Sequence, residues 1–177
     1  MPRIPIDKIY MQIAYQVAKL SYAERRKVGC VIVKDEQIVS FGYNGTPHGF
    51  DNECESVEIT TIEASYEKIP EVVRDLEDAG FIYDHDCECC RKKEYSTKRE
   101  VLHAESNALM KLAKSTMSCK DSILYTTTAP CFDCAKLIIQ AGVKEVFYCE
   151  DYRDMSGIML LQRAGIEVNQ VIVWNND

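Results

Sequence analysis

The sequence predicts an α/β protein: a mixed, mostly parallel five-stranded sheet with helices on both faces, carried by a single 177-residue domain with a cysteine-rich insertion at about residues 46–100. Two observations predict this architecture. A helix-period segment leads into two short apolar runs separated by a polar turn. After residue 100, helical and extended patterns alternate, the order that builds parallel strands joined by crossover helices.

Ile6, Ile9, Tyr10, Ile13, Val17 and Leu20 recur at helical spacing and predict a first helix over about residues 6–22. Val28-Gly29-Cys30-Val31-Ile32-Val33 is a short continuous apolar strand. Lys34-Asp35-Glu36-Gln37 is a polar turn, and Ile38 to Tyr43 is the antiparallel partner. From Thr46 to about Glu100 the pattern weakens, apart from a helical run at 71–80 with Gly80 as its stop. A long stretch of weak structure within a compact domain calls for a function or a clip, such as a metal ion. Regular spacing then returns, with helices at 102–112, 131–141 and 156–164 and strands at 123–127, 145–148 and 166–173.

A hydrophobic fraction of 46% is that of a globular protein. The sequence lacks an apolar run of about 18 residues, and Met1 to Asp7 does not read as a secretory leader. A soluble, cytoplasmic protein without membrane association is expected. Nine cysteines, an odd number, fit metal ligation better than a disulfide framework in such a chain. The net charge of −7 leaves only compact basic clusters, Arg25-Arg26-Lys27, Arg91-Lys92-Lys93 and Lys98-Arg99. Those suit a few phosphate oxygens on a nucleotide rather than a polymeric nucleic acid.

The chemistry is concentrated in His103-Ala104-Glu105 and Pro130-Cys131-Phe132-Asp133-Cys134. His103, Cys131 and Cys134 supply three borderline-to-soft ligands, leaving one tetrahedral position open, as hydrolytic zinc sites do. Cys131 and Cys134, at i and i+3, share one helical face, and a helix start favours thiolate. Glu105 is the residue placed to move protons. The alternative is a structural zinc closed by a fourth ligand from the insertion, such as Cys54 or Cys90, with Glu105 an ordinary helix-start acid. The pattern is similar to that of the zinc nucleobase deaminases, H-x-E…P-C-x-x-C.

Two further segments, Gly42-Tyr43-Asn44-Gly45-Thr46-Pro47-His48-Gly49 and Ala135 to Lys144, resemble the deoxycytidylate (dCMP) deaminases. The resemblance implies a cytidine deaminase-like three-layer fold and hydrolysis of dCMP to dUMP and ammonia. It further implies a homo-oligomer, commonly a hexamer, activated by dCTP with Mg2+ and inhibited by dTTP. On this reading Asn44, Ala104, Tyr152 and Arg153 meet the substrate. Arg26, Lys27, Gly42, Tyr43 and Gly45 meet the regulatory nucleotide. Asn44 has both donors and acceptors for a sugar hydroxyl, although Asn-Gly is also a plain turn dipeptide. Tyr152 and Arg153 follow a strand end, where open α/β sheets bind ligands.

Cys54, His85, Cys87 and Cys90 form a second candidate metal set, a structural zinc in the insertion. A redox-sensitive or solvated cysteine-rich loop is the alternative. Other functions consistent with the zinc motif are a deaminase that also accepts dCTP, a polynucleotide deaminase, and a non-catalytic zinc interaction module.

Overall fold

The computed structural model describes residues 4–64, 69–87 and 89–173. They fall into two compact units, one made of residues up to 54 and from 100 onward, the other of residues 55–99.

The larger unit holds a five-stranded sheet built from β1 (Gly29–Lys34), β2 (Gln37–Tyr43), β6 (Ile123–Thr128), β7 (Glu145–Glu150) and β8 (Glu167–Gln170). Its order is β2-β1-β6-β7-β8. β1 pairs antiparallel with both β2 and β6, whereas β6–β7 and β7–β8 are parallel. The sheet is therefore evenly mixed rather than mostly parallel. The difference arises at β6, which follows the insertion and returns antiparallel to β1. The hairpin turn is made by Asp35 and Glu36, both at positive φ, the conformation that matches the twist of paired strands.

Helices cover both faces, as expected. α1 (Ile6–Ala18) lies on one, where Met11 and Ala14 pack with Val31, Val33 and Tyr125. α3 (Ala104–Ala113), α4 (Phe132–Gln140) and α5 (Ser156–Arg163) cover the other, where Ala108, Ile138 and Leu161 pack with Cys30, Ile32 and Leu124. Burial on both faces explains the unbroken apolar run of β1, since alternate residues must be apolar in both directions. α1 stops at Ala18, four residues before the expected end. Leu20 keeps the helical phase but is exposed, and Ser21 turns away to donate to the Asn44 carbonyl at 2.7 Å. No helix among the described residues is long and apolar enough to cross a membrane.

The smaller unit is a three-stranded antiparallel sheet ordered β3 (Glu55–Glu63), β5 (Cys89–Thr97), β4 (Ile82–Asp84), with α2 (Pro70–Asp78). Sequence periodicity anticipates only α2. β3 is almost wholly exposed, with Val57 and Ile59 facing solvent, so burial leaves no two-residue signature. Register comes instead from a nine-pair ladder, Glu55–Thr97 through Glu63–Cys89. A small core of Ala64, Val73 and Cys90 sits beneath.

Candidate functional site

Two helix starts converge on the sheet face opposite α1. His103 is the N-cap residue of α3 and Cys131 that of α4. Their side chains meet: His103 Nδ1 lies 3.4 Å from Cys131 Sγ and 3.5 Å from Cys134 Sγ. All three ligand atoms fall within 4.8 Å of one another. A tetrahedral zinc with ordinary Zn–N and Zn–S bonds separates nitrogen from sulfur by about 3.6 Å. The donor set and its spacing thus fit zinc. His103 is exposed, Cys131 half-buried and Cys134 buried, giving a site reached from one side.

Glu105, in the first turn of α3, lies under this cluster at 4% exposure. The Cys134 thiol donates to its Oε2 at 3.7 Å. Burial pushes the Glu105 carboxyl up to about 7, partly offset by its own backbone N–H and by His103. The hydrogen bond from Cys134, with a smaller contribution from His103, draws Cys131 down to about 4, so it is a thiolate. Bonding to that thiolate, together with burial, raises Cys134 well above an ordinary thiol. The same thiolate raises His103.

These directions set the proton balance of metal uptake. Zinc takes neutral imidazole and thiolate. Cys131 has no proton to lose at neutral pH, Cys134 must lose one, and His103 must lose another below its raised pKa. Zinc uptake by chelator-stripped protein is expected to release a proton from Cys134 and, below the raised pKa of His103, a further one from the imidazole. Affinity should fall as pH falls. Calorimetry in buffers of differing ionisation enthalpy measures this, and pH-independent uptake would contradict it.

The segment Gly42 to Gly45 seats α3. A Cβ on Gly42 would lie 2.2 Å from the Ala104 carbonyl oxygen and 2.5 Å from the Ala108 nitrogen. The close approach allowed by Gly42 on its Cβ side is therefore to α3. Ala104, expected to meet substrate, is fully buried with its carbonyl facing Gly42. Asn107 Nδ2 donates to the Tyr43 carbonyl at 2.8 Å, and Gly45 exchanges two backbone hydrogen bonds with Leu102, at 2.8 and 3.1 Å. Sequence patterning did not single out Asn107; its position one turn after His103 is the signal that could have found it. Asn44 accepts from the Val28 N–H through Oδ1 and donates to the Arg26 carbonyl through Nδ2, each at 2.8 Å. One N–H and one lone pair of its amide remain for a ligand.

Arg26 pairs with Glu150 Oε2 at 2.5 Å, and Glu150 Oε1 accepts from the Tyr15 hydroxyl at 2.9 Å. Lys27 is exposed beside it. Tyr152 is half-buried against the core, and Arg153 stacks its guanidinium 5.7 Å from the Tyr152 ring centre, in the loop leaving β7. In the smaller unit, Cys87 bonds covalently to Cys89. Successive strand residues face opposite ways, and Cys90 points into the Ala64–Val73 core. Among the described residues, the ligand atoms of Cys87, Cys89 and Asp84 lie within 4.8 Å of one another. The His85 ring packs edge-on against Tyr83 at 4.8 Å. Cys54 belongs to the larger unit, buried with Ala23 and Val101.

Residues 5–150 match the family model for the cytidine and deoxycytidylate deaminase zinc-binding region. The chain belongs to this deaminase family. Deoxycytidylate deaminase of Enterobacteria phage T2 is 36% identical, the alignment covering 94% of this chain and 93% of that one. The phage T4 deoxycytidylate deaminase is also 36% identical, over 91% and 87%. The crystal structure of dCMP deaminase from the cyanophage S-TIM5, in complex with dCMP and dUMP, superposes with a TM-score of 0.72. It is 37% identical and covers 97% of this chain and 100% of that one. The cytidine deaminase-like fold and the zinc-binding character of the His-Cys-Cys site follow from this membership.

Proposed function

We propose that this deaminase hydrolyses dCMP to dUMP and ammonia, with Glu105 as its proton-transfer residue. The observation that carries the reading is a buried carboxylate touching a three-ligand cluster that leaves a fourth tetrahedral position open. The phage relatives name the substrate class. When bound, zinc supplies a Lewis acid that makes water nucleophilic near neutral pH. Glu105 takes a proton from the attacking water and passes it to N3 of the cytosine. It then takes the second proton, from the hydroxyl now on C4, and delivers it to the amine, which leaves as ammonia while the C4 oxygen becomes the carbonyl of dUMP. Water adds at C4, the C4–N bond breaks, and no redox partner is needed. A carboxyl near 7 suits both directions of transfer.

Ammonia release from dCMP, dCTP, cytidine and a single-stranded oligonucleotide tests the substrate. Turnover is expected with dCMP and absent with the oligonucleotide, given the −7 net charge. A preference for the oligonucleotide would overturn the reading. The same proposal includes activation by dCTP with Mg2+, inhibition by dTTP, assembly into a homo-oligomer, a hexamer first, and action in the cytoplasm. The resemblance of the Gly42–Gly49 and Ala135–Lys144 segments supports these.

Arg26 and Lys27 are the proposed nucleotide-phosphate contacts, with Arg153 and Tyr152 toward the substrate. Arg26→Glu puts a second carboxylate beside Glu150 and is expected to weaken the response to dCTP and dTTP or raise the dCMP KM while zinc stays bound. Unchanged kinetics and unchanged effector response would remove Arg26 from the site. A second, structural zinc in the smaller unit is proposed on Cys87, Cys89 and Asp84 in the reduced protein. Two zinc ions per chain, falling to one in Cys87→Ser, is the expected result of metal analysis.

A further inference from the structure

We infer that Gly157 is the positioning residue for the Cys131 ligand. The inference rests on the zinc reading of the His103-Cys131-Cys134 cluster. Gly157 is buried at the second position of α5, a helix that lies against α4. A Cβ built there would stand 2.1 Å from the Pro130 carbonyl oxygen and 2.8 Å from both the carbonyl carbon and the oxygen of Cys131. Each of these is a backbone atom, so no side chain can rotate aside. The start of α5 thus rests directly on the peptide that presents the thiolate.

Three features make this contact more than ordinary packing. The Cys131 carbonyl accepts the first hydrogen bond of α4, from Ala135 at 2.9 Å, so displacing it loosens the turn that carries Cys134. Pro130 is fully buried and fixes its own φ, so it cannot absorb the displacement. On the far side, the Asp154 carboxylate accepts from the backbone N–H and hydroxyl of Ser156, at 2.9 and 2.8 Å, which anchors the start of α5. A methyl at 157 must therefore push the Pro130–Cys131 peptide by on the order of 1 Å, several times the roughly 0.2 Å tolerance of a metal–ligand bond. The absent side chain thereby sets where Cys131 Sγ stands relative to His103.

The test compares wild type, Gly157→Ala and Leu161→Ala after chelator stripping and zinc titration. Leu161 is fully buried on the same helix, and it contributes core packing. Gly157→Ala is expected to bind zinc about 10- to 100-fold more weakly, the range seen when groups supporting metal ligands are lost. Its cobalt-substituted form should show altered thiolate charge-transfer bands. Leu161→Ala is expected to melt lower and keep wild-type zinc affinity and cobalt spectrum. A folded Gly157→Ala protein with wild-type affinity and spectrum overturns the inference. Amide exchange on wild type decides the matter even if that variant does not fold: zinc should slow exchange across 156–160 while leaving β8 unchanged. Equal exchange in the two states at 156–160 overturns it as well. Failure of wild type to bind zinc would instead remove the metal reading itself, and this inference with it.

Discussion

Glu105→Gln is expected to retain zinc and to lose turnover by roughly 10²- to 10⁴-fold, the contribution of a positioned acid–base group. The amide keeps the shape of the carboxylate, so the helix start, His103 and both thiolates stay in place. What it removes is the ability to accept a proton at the water and return it to the leaving nitrogen. The raised pKa adds a second, independent signature. Burial holds Glu105 protonated up to about 7 in the folded chain, against 4.5 when exposed. A carboxyl raised on folding contributes stability that is fully present below about 4.5 and lost as pH rises through about 7. Metal-free Glu105→Gln should therefore lose less stability than wild type across that window. Urea melts at pH 5 and pH 8 measure this, and zinc analysis with dCMP kinetics measures the rest. Substantial turnover in the zinc-loaded variant would sink the catalytic assignment.

The ligands were legible in the sequence because metal chemistry restricts residue type and helix geometry restricts spacing. His103 and Cys131 both had to open helices, and they do. The edge hairpin was legible for a related reason: its polar turn interrupts two apolar runs. The direction of β6 was not, since a strand carries the same apolar residues whichever way it runs. Nor was the ribbon of the smaller unit, whose strands bury little and so leave no alternation to read. The cysteines there are hard to read for a specific reason. Spacing in a line of text suggested Cys87 with Cys90, whereas the pleat turns Cys90 inward and leaves Cys89 beside Cys87. Gly157 left no signal at all, because the contact that requires it is made by the backbone of a distant loop.

The Gly42 segment shows the same limit from the other side, and it carries the second large expected effect. A glycine near a candidate site reads as room for a ligand, but here α3 fills the room. Gly42→Ala would drive a methyl into the Ala104 carbonyl and the Ala108 amide, both backbone atoms of the helix that presents His103 and Glu105. Overpacking of a tight core costs about 1–3 kcal/mol, and more where backbone must move. The adjoining hydrogen bonds, from Ser40 to the Ala108 carbonyl and from Asn107 to the Tyr43 carbonyl, pull α3 toward β2 and resist that movement. The helix is then forced to lift at its N-terminal end, where His103 and Glu105 sit. Gly42→Ala is expected to lower Tm by several degrees and to reduce kcat by at least about 10-fold in the protein that remains folded. An alanine variant that kept its Tm and basal kcat and lost only the response to dCTP and dTTP would overturn the packing account. Thermal melts beside kinetics with and without effectors separate the two, because displacement of α3 acts on the reaction before any effector is added.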